Sequence, residues 1–203
     1  MRMRKKKNGQ ARMQNCLDYM ITEKPYEKTG FMLEIGCGKG GFMVQLAKKY
    51  PETQFVAVEK MSDVILLAAE KMKSLELTNV KLLNCDAEQL PEYFAEGSVK
   101  RIYLNLSDPW PKAKHAKRRL TSPRYLEIYK KLLKKDGAIF FKTDNRPLFD
   151  YSVETFTEAG FRLEKLTYDL HSSEYESENL HTEYEDNFSA KGFTINRVEA
   201  YVN

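Results

Sequence analysis

Leu33-Glu34-Ile35-Gly36-Cys37-Gly38-Lys39-Gly40-Gly41 closes an apolar run and opens a helix, and its reading decides the fold. Phe31 to Ile35 reads as a buried parallel strand. The apolar spacing Phe42, Met43, Leu46, Ala47 and Tyr50 reads as a helix stopped by Pro51. Glycine lets the backbone turn tightly between them and lets a ligand lie against bare peptide, which side chains would prevent. The same alternation continues downstream, with strands expected at Gln54 to Val58, Val80 to Asn84, Val99 to Leu106 and Ala138 to Lys142 and helices in the gaps. The clearest helix is Pro123 to Lys134. Ser122 offers its N-cap, Pro123 suits the first position, and Tyr125, Leu126, Tyr129, Leu132 and Leu133 make a buried stripe, with Gly137 just beyond the end. After Gly160 the strand candidates Phe161 to Tyr168 and Phe193 to Val202 flank a long polar segment, 171–191, read as a functional loop or a partly disordered one. The economical fold is α/β: a Rossmann-like, doubly wound, mostly parallel sheet of seven strands closed by a C-terminal antiparallel hairpin.

At 203 residues the chain is expected to form one domain, 1–203, with a basic N-terminal extension over 1–28. A chain of this size buries roughly 70% of its unfolded surface and needs no staples. Its three cysteines, Cys16, Cys37 and Cys85, are too scattered for a disulfide framework or a zinc site. No run approaches the ~20 apolar residues of a membrane span, and the N-terminus lacks a signal peptide's apolar core, so a cytoplasmic protein is expected. The net charge is only +4, but it is unevenly spread. Arg2, Arg4, Lys5, Lys6 and Lys7 open the chain, Lys112, Lys114, Lys117, Arg118 and Arg119 fall in one short segment, and acid collects at Glu174, Glu176, Glu178, Glu183, Glu185 and Asp186. Basic runs of this kind are either solvated surface or phosphate-binding surface.

The glycine turn admits two cofactors. Gly36-x-Gly38-x-x-Gly41 matches the dinucleotide fingerprint, whereas Glu34-x-Gly36-x-Gly38-x-Gly40 matches the loop that holds S-adenosylmethionine. Charge favours the second, because a carboxylate at Glu34 repels a pyrophosphate and suits an ammonium. In an open parallel sheet ligands bind beyond the carboxyl ends of the strands, and acids stand at four such ends: Glu34, Glu59, Asp86 and Asp108. Glu59 lies 19 residues after Gly40, the spacing of an acid that accepts from a ribose diol. Asp86 can accept from the exocyclic amine of adenine while Ala87 leaves room for the ring, or Asp86 can simply cap a helix. Asn105-Leu106-Ser107-Asp108-Pro109-Trp110-Pro111 braces Asp108 between prolines at the sheet's mouth, where Trp110 either packs or stacks on a base. His115, His171 and His181 show no metal-ligand spacing, and no metal is expected. Asp144 either caps the helix begun at Pro147 or holds substrate.

Taken together, Glu34 to Gly40, Asn105 to Lys112, Lys114 to Arg119, Lys142-Thr143-Asp144-Asn145 and Thr182-Glu183-Tyr184-Glu185 resemble the bacterial tRNA (guanine-N7-)-methyltransferases, class I enzymes dependent on S-adenosylmethionine. That resemblance implies a cofactor site of Glu34, Gly36, Gly38, Glu59, Asp86, Ala87 and Asp108, with Asp108 as the catalytic residue. It implies substrate contacts from Lys112, Asp144, Thr182, Glu183, Tyr184 and Glu185, and RNA contacts from Lys114, His115, Ala116, Lys117, Arg118 and Arg119. The partner implied is tRNA, methylated at a variable-loop guanine, with no obligate protein partner and a monomer or homodimer expected. Guanine N7 carries a free lone pair, so the lack of an evident His, Cys or Lys base agrees with the chemistry. A methyltransferase of exocyclic amines and a non-catalytic RNA-binding module remain as alternatives.

Overall fold

The computed structural model describes residues 8–203; the basic run Arg2 to Lys7 lies outside them. In chain order the elements are α1 (Gly9–Gln14), β1 (Phe31–Ile35), α2 (Gly41–Lys49), β2 (Phe55–Val58), α3 (Ser62–Ser74), β3 (Val80–Leu83), α4 (Leu90–Tyr93), β4 (Val99–Asn105), α5 (Pro123–Leu132), β5 (Leu133–Thr143), α6 (Arg146–Glu158), β6 (Arg162–Thr167), α7 (Glu183–Ser189) and β7 (Asn196–Tyr201). The strands form one seven-stranded sheet in the order β3-β2-β1-β4-β5-β7-β6. Pairing is parallel from β3 through β5, and β7 runs antiparallel to both β5 and β6. The expected doubly wound sheet with its antiparallel C-terminal pair is therefore present. The strand order reverses between β1 and β4, and at such a switch point the loops on either side part and leave a crevice.

Strand alternation divides the core in two. Phe31, Leu33 and Ile35 of β1, Ile102 and Leu104 of β4, and Ile139 and Phe141 of β5 pack toward α5 and α6. On the other face Phe55, Ala57 and Leu82 pack beneath Phe42, Met43 and Leu46 of α2 and Ile65, Ala69 and Met72 of α3. That second face becomes polar near the strand ends, where Glu34, Asn105, Lys142 and Arg197 occupy neighbouring strands.

Several local expectations change. The helix begun at Pro123 ends at Leu132, and Leu133 already pairs with Val99 of β4. The ladder then skips Lys134 to Gly137 and resumes at Ala138, so the turn residues form an irregularity inside β5 and not a helix cap. Ser122 holds the N-cap position, but its hydroxyl donates to the Lys117 carbonyl and does not accept from the helix. Segment 171–191 is ordered as a 3-10 turn, Glu174–Glu178, and α7. The signal for α7 was in the sequence: Thr182 and Glu185 make a reciprocal capping box, each side chain meeting the other's backbone N–H. Within residues 8–28, Arg12 pairs with Glu70 of α3 at 2.6 Å and Ile21 N–H donates to the Leu82 carbonyl of β3.

Candidate active site

The cleft sits over the carboxyl ends of β1 to β4. One half is lined by Glu34, Gly36, Gly38, Phe42, Asn105 and Tyr184, and the other by Glu59, Asp86, Ala87, Asp108, Trp110 and Tyr125. Gly36, Asn105 and Leu106 border both halves, so the two are continuous. The sequence places all the expected cofactor residues around this one opening.

Glu34 lies within β1, one residue before its end, and is 2% exposed. Its Oε1 accepts from Asn105 Nδ2 at 3.0 Å, and its Oε2 is buried with no partner in the protein. Burial pushes its pKa up to about 7, against the opposing pull of Asn105 and Lys142. An unanswered carboxylate oxygen in a polar cleft costs about 1–3 kcal/mol, and a ligand cation removes that cost. The glycine turn beside it is pinned by Gly36 N–H and Cys37 N–H, both donating to the Val58 carbonyl. Gly36 and Gly38 have φ of +80° and +57°, and a Cβ on either would stand in open space, so the turn presents bare backbone to the cleft. Glu59 accepts from Gly38 N–H at 3.3 Å and from Met61 N–H at 2.9 Å, which fixes its carboxylate beside the turn.

Asp86 takes the capping role: it accepts from Glu88 N–H, and Gln89 answers the Asp86 N–H. It also lines the cleft and accepts from Tyr125 at 3.4 Å, so cap and cleft residue coincide. Asp108 is exposed in the loop after β4. That loop bends sharply at Leu106 and Trp110, with φ of 50° and 42°, and Arg119 ties it down by donating to the carbonyls of Pro109 and Trp110. Trp110 meets His115 edge-on at 5.8 Å and carries Arg118 over its ring at 4.9 Å, so in this structure it packs within the loop.

The basic segment therefore divides by role. Arg119 is a brace, half-buried against the Tyr151 ring, and His115 and Ala116 are half-buried; Lys112, Lys114, Lys117 and Arg118 are exposed. Changing Lys114 and Lys117 to alanine is expected to weaken tRNA binding and flatten the log-affinity against log-salt plot by roughly 1.4 to 1.8, two phosphate contacts' worth. Titrations across a salt series check it. An unchanged slope returns the segment to solvated surface.

The expected substrate group also divides. Glu185 is fully buried, and its oxygens accept from Lys142, Asn179, Thr182 N–H and His171. Burial alone would raise its pKa, but Lys142 and the hydrogen bonds outweigh burial and hold it below the usual value. Lys142 is 5% exposed, and burial lowers its pKa even against the pull of Glu185. Glu185 is thus fixed within the protein, whereas Thr182 caps α7 and also lines the cleft. Tyr184 does face the cleft: it is 45% exposed, stacks on Phe188 at 4.0 Å, and has its pKa raised by burial with help from Asp144 and Asp108. Glu183 occupies the first turn of α7. Asp144 does not cap α6; Asn145 does, accepting from Leu148 N–H at 2.8 Å. His171 and His181 stack at 5.0 Å and 11°, and with Glu185 they bring three possible metal-ligand atoms within 4.8 Å of one another. Asn105 and Lys142, which the sequence reading left without individual roles, prove to position Glu34 and α7. Polar residues in strands otherwise apolar on both faces were the available signal.

Comparison with known proteins agrees with this geometry. A family model described as "Putative methyltransferase" matches residues 28–198. A tRNA (guanine-N(7)-)-methyltransferase of Macrococcus caseolyticus is 45% identical over 190 residues, covering 94% of this chain and 88% of that one. The one from Bacillus cytotoxicus is 48% identical, covering 83% and 77%. Among solved structures, a SAM-dependent methyltransferase from Aquifex aeolicus superposes with a TM-score of 0.61 at 14% identity, covering 97% of this chain and 90% of that one. An antibiotic-related methyltransferase gives 0.64 at 15%, covering 99% and 97%. At such identities the structural likeness speaks for the fold.

Proposed function

Because the chain belongs to the methyltransferase family whose relatives carry the name tRNA (guanine-N(7)-)-methyltransferase, we infer that its cleft transfers the methyl group of S-adenosylmethionine to N7 of a guanine in tRNA. The observation that carries this reading is the buried, unpartnered Oε2 of Glu34 beside a turn of bare glycine backbone. It fits the ammonium of S-adenosylmethionine and is repulsive toward a pyrophosphate. Glu34 would hold that ammonium, Glu59 the ribose hydroxyls, and Asp86 with Ala87 the adenine. When bound, S-adenosylmethionine supplies an electrophilic methyl group on a sulfonium sulfur.

The protein's task is then to place guanine and exclude water. N7 already carries its lone pair, so no side chain must remove a proton to create a nucleophile. Asp108 stands over the cleft as a carboxylate that orients the base and favours the positive charge developing on it. Tyr184 lines the half of the cleft that holds Glu34, and Trp110 the half that holds Asp108; placement of the two reactants in line supplies the remaining acceleration. The exposed lysines of the segment after Pro111 carry the phosphate contacts. We place the target in the variable loop and the protein in the cytoplasm, where its substrate is; no helix among the described residues is long and apolar enough to cross a membrane.

A tRNA with 7-deazaguanine at the target position tests the acceptor atom, since it lacks N7 and keeps the exocyclic amine. Methyl transfer to that position is expected to vanish. Transfer at the normal rate would assign the chemistry to the amine.

Proton linkage at Glu34 gives a second check. Its folded pKa, about 7, is above its ordinary value of 4.5, so its contribution to stability is fully present below about pH 4.5 and is lost as pH rises through about 7. A ligand ammonium selects the ionised form. Affinity for S-adenosylhomocysteine, which carries the same ammonium, is expected to rise toward tenfold per pH unit from about pH 5.5 to about pH 7 and then level. Calorimetry across that range checks it, and Glu34→Gln should abolish the rise.

A further inference from the structure

On the α2 side of the sheet, beyond Phe42, a second cavity of about 310 Å³ opens over β4, β5 and β7. It adjoins the cleft, sharing Phe42 and Asn105 with it, but neither Asp108 nor Glu59 lines it. Its chemistry is aromatic and cationic. Arg101, Tyr103, Phe140 and Arg197 form the floor, and Tyr50, 45% exposed, stands at the mouth beside Lys49.

The two arginines are unusual for a sheet face. Arg101 projects from β4 over the Phe140 ring, 4.0 Å from its centre, and donates to the Tyr103 hydroxyl at 3.2 Å. Among the described residues no carboxylate pairs with it. Arg197 is 9% exposed at its side chain and donates through Nη2 to Glu199, while its Nη1 is buried with no hydrogen bond in the protein. The acid at the rim, Glu178, is drawn to Lys165 at 2.5 Å, and that partner together with Arg197 holds its pKa low. Cations thus outnumber acids in a cavity with stacking surfaces, a combination that suits an anion carried on a flat ring.

We propose that this cavity is a binding site for a nucleoside phosphate, with Arg101 contacting the phosphate and Tyr50 stacking on the base. The chemistry has two sources, a nucleotide of the bound tRNA next to the methylated base or a free nucleotide. The first rests on the tRNA reading above, and the second does not. Stacking on an aromatic ring tolerates any base, so the site is expected to accept a pyrimidine, which the guanine-binding cleft does not need to do.

The test uses the full chain saturated with S-adenosylhomocysteine, so that a nucleotide cannot occupy the cofactor cleft. Uridine 5′-monophosphate is titrated calorimetrically against the wild type, Arg101→Gln and Tyr50→Ala, and each protein is then titrated with unmodified tRNA over a salt series. Arg101→Gln is expected to weaken the uridine nucleotide at least about tenfold, the loss of one charge-assisted hydrogen bond. Tyr50→Ala, at an exposed position that leaves the fold intact, is expected to weaken it severalfold. Should Arg101→Gln also lower the tRNA salt slope by about 0.7 to 0.9, the occupant is an RNA nucleotide. An unchanged tRNA titration beside lost nucleotide binding assigns the site to free nucleotides. If neither variant alters either titration, the proposal is overturned. Affinity for S-adenosylhomocysteine should be wild-type in both variants, which separates failure here from failure of the cleft assignment.

Discussion

Asp108→Asn is expected to lower turnover at saturating tRNA and S-adenosylmethionine by at least about 100-fold, the scale of losing one electrostatic stabiliser, while leaving the melting temperature unchanged. Asp108 is exposed, and the loop that carries it is held by its prolines and by Arg119 bonding to the backbone. The substitution keeps the side chain's shape and removes only its charge. Charge is what matters in this reaction, because the guanine becomes cationic as the methyl arrives. Affinity for S-adenosylhomocysteine is expected to change little. Near-normal turnover would remove Asp108 from the mechanism and turn attention to Asp144, the other acid that acts on Tyr184.

Lys142→Ala is expected to destabilise the protein by about 3–5 kcal/mol, the largest stability effect of any single change in the site. Lys142 and Glu185 are both buried, and the ammonium also donates to Asn179 and to the Leu180 carbonyl. Removing it leaves a carboxylate in the interior whose other partners are neutral groups and His171. Denaturant unfolding measures the loss. Changing Glu185 to glutamine in the same chain should recover a sizeable part, because the uncompensated charge then disappears. A loss under about 1 kcal/mol for Lys142→Ala would show that water reaches the pair and would weaken its role in holding α7 and Tyr184 over the cleft.

What was legible in the sequence follows from the range of the forces involved. The parallel core was readable because strands buried on both faces must be runs such as Phe55 to Val58, and the glycine turn because only glycine takes the φ of Gly36 and Gly38 without strain. The position of the acids at strand ends was readable for the same reason. Pairings between distant residues were not. Asn105 with Glu34 and Lys142 with Glu185 depend on strand register and on how 171–191 folds back, which the local sequence does not encode. The structural role of Thr182 and Glu185 was not separable in the sequence, because a capping box and a substrate motif use the same residue types. Arg119 shows the same ambiguity: its charge read as phosphate contact, and its guanidinium also serves two loop carbonyls. The end of α5 was misjudged because lysines and a glycine after a helix usually mark a cap, whereas here they form an irregularity within β5.

The account stands most directly on the identity of the product. Purified protein is incubated with methyl-labelled S-adenosylmethionine and unmodified tRNA, and the tRNA is digested to nucleosides and resolved. The expected result is label in 7-methylguanosine as the main product, at one position per tRNA and in the variable loop. Label recovered chiefly in an exocyclic-amine nucleoside, or no transfer by protein that binds S-adenosylhomocysteine normally, would contradict it.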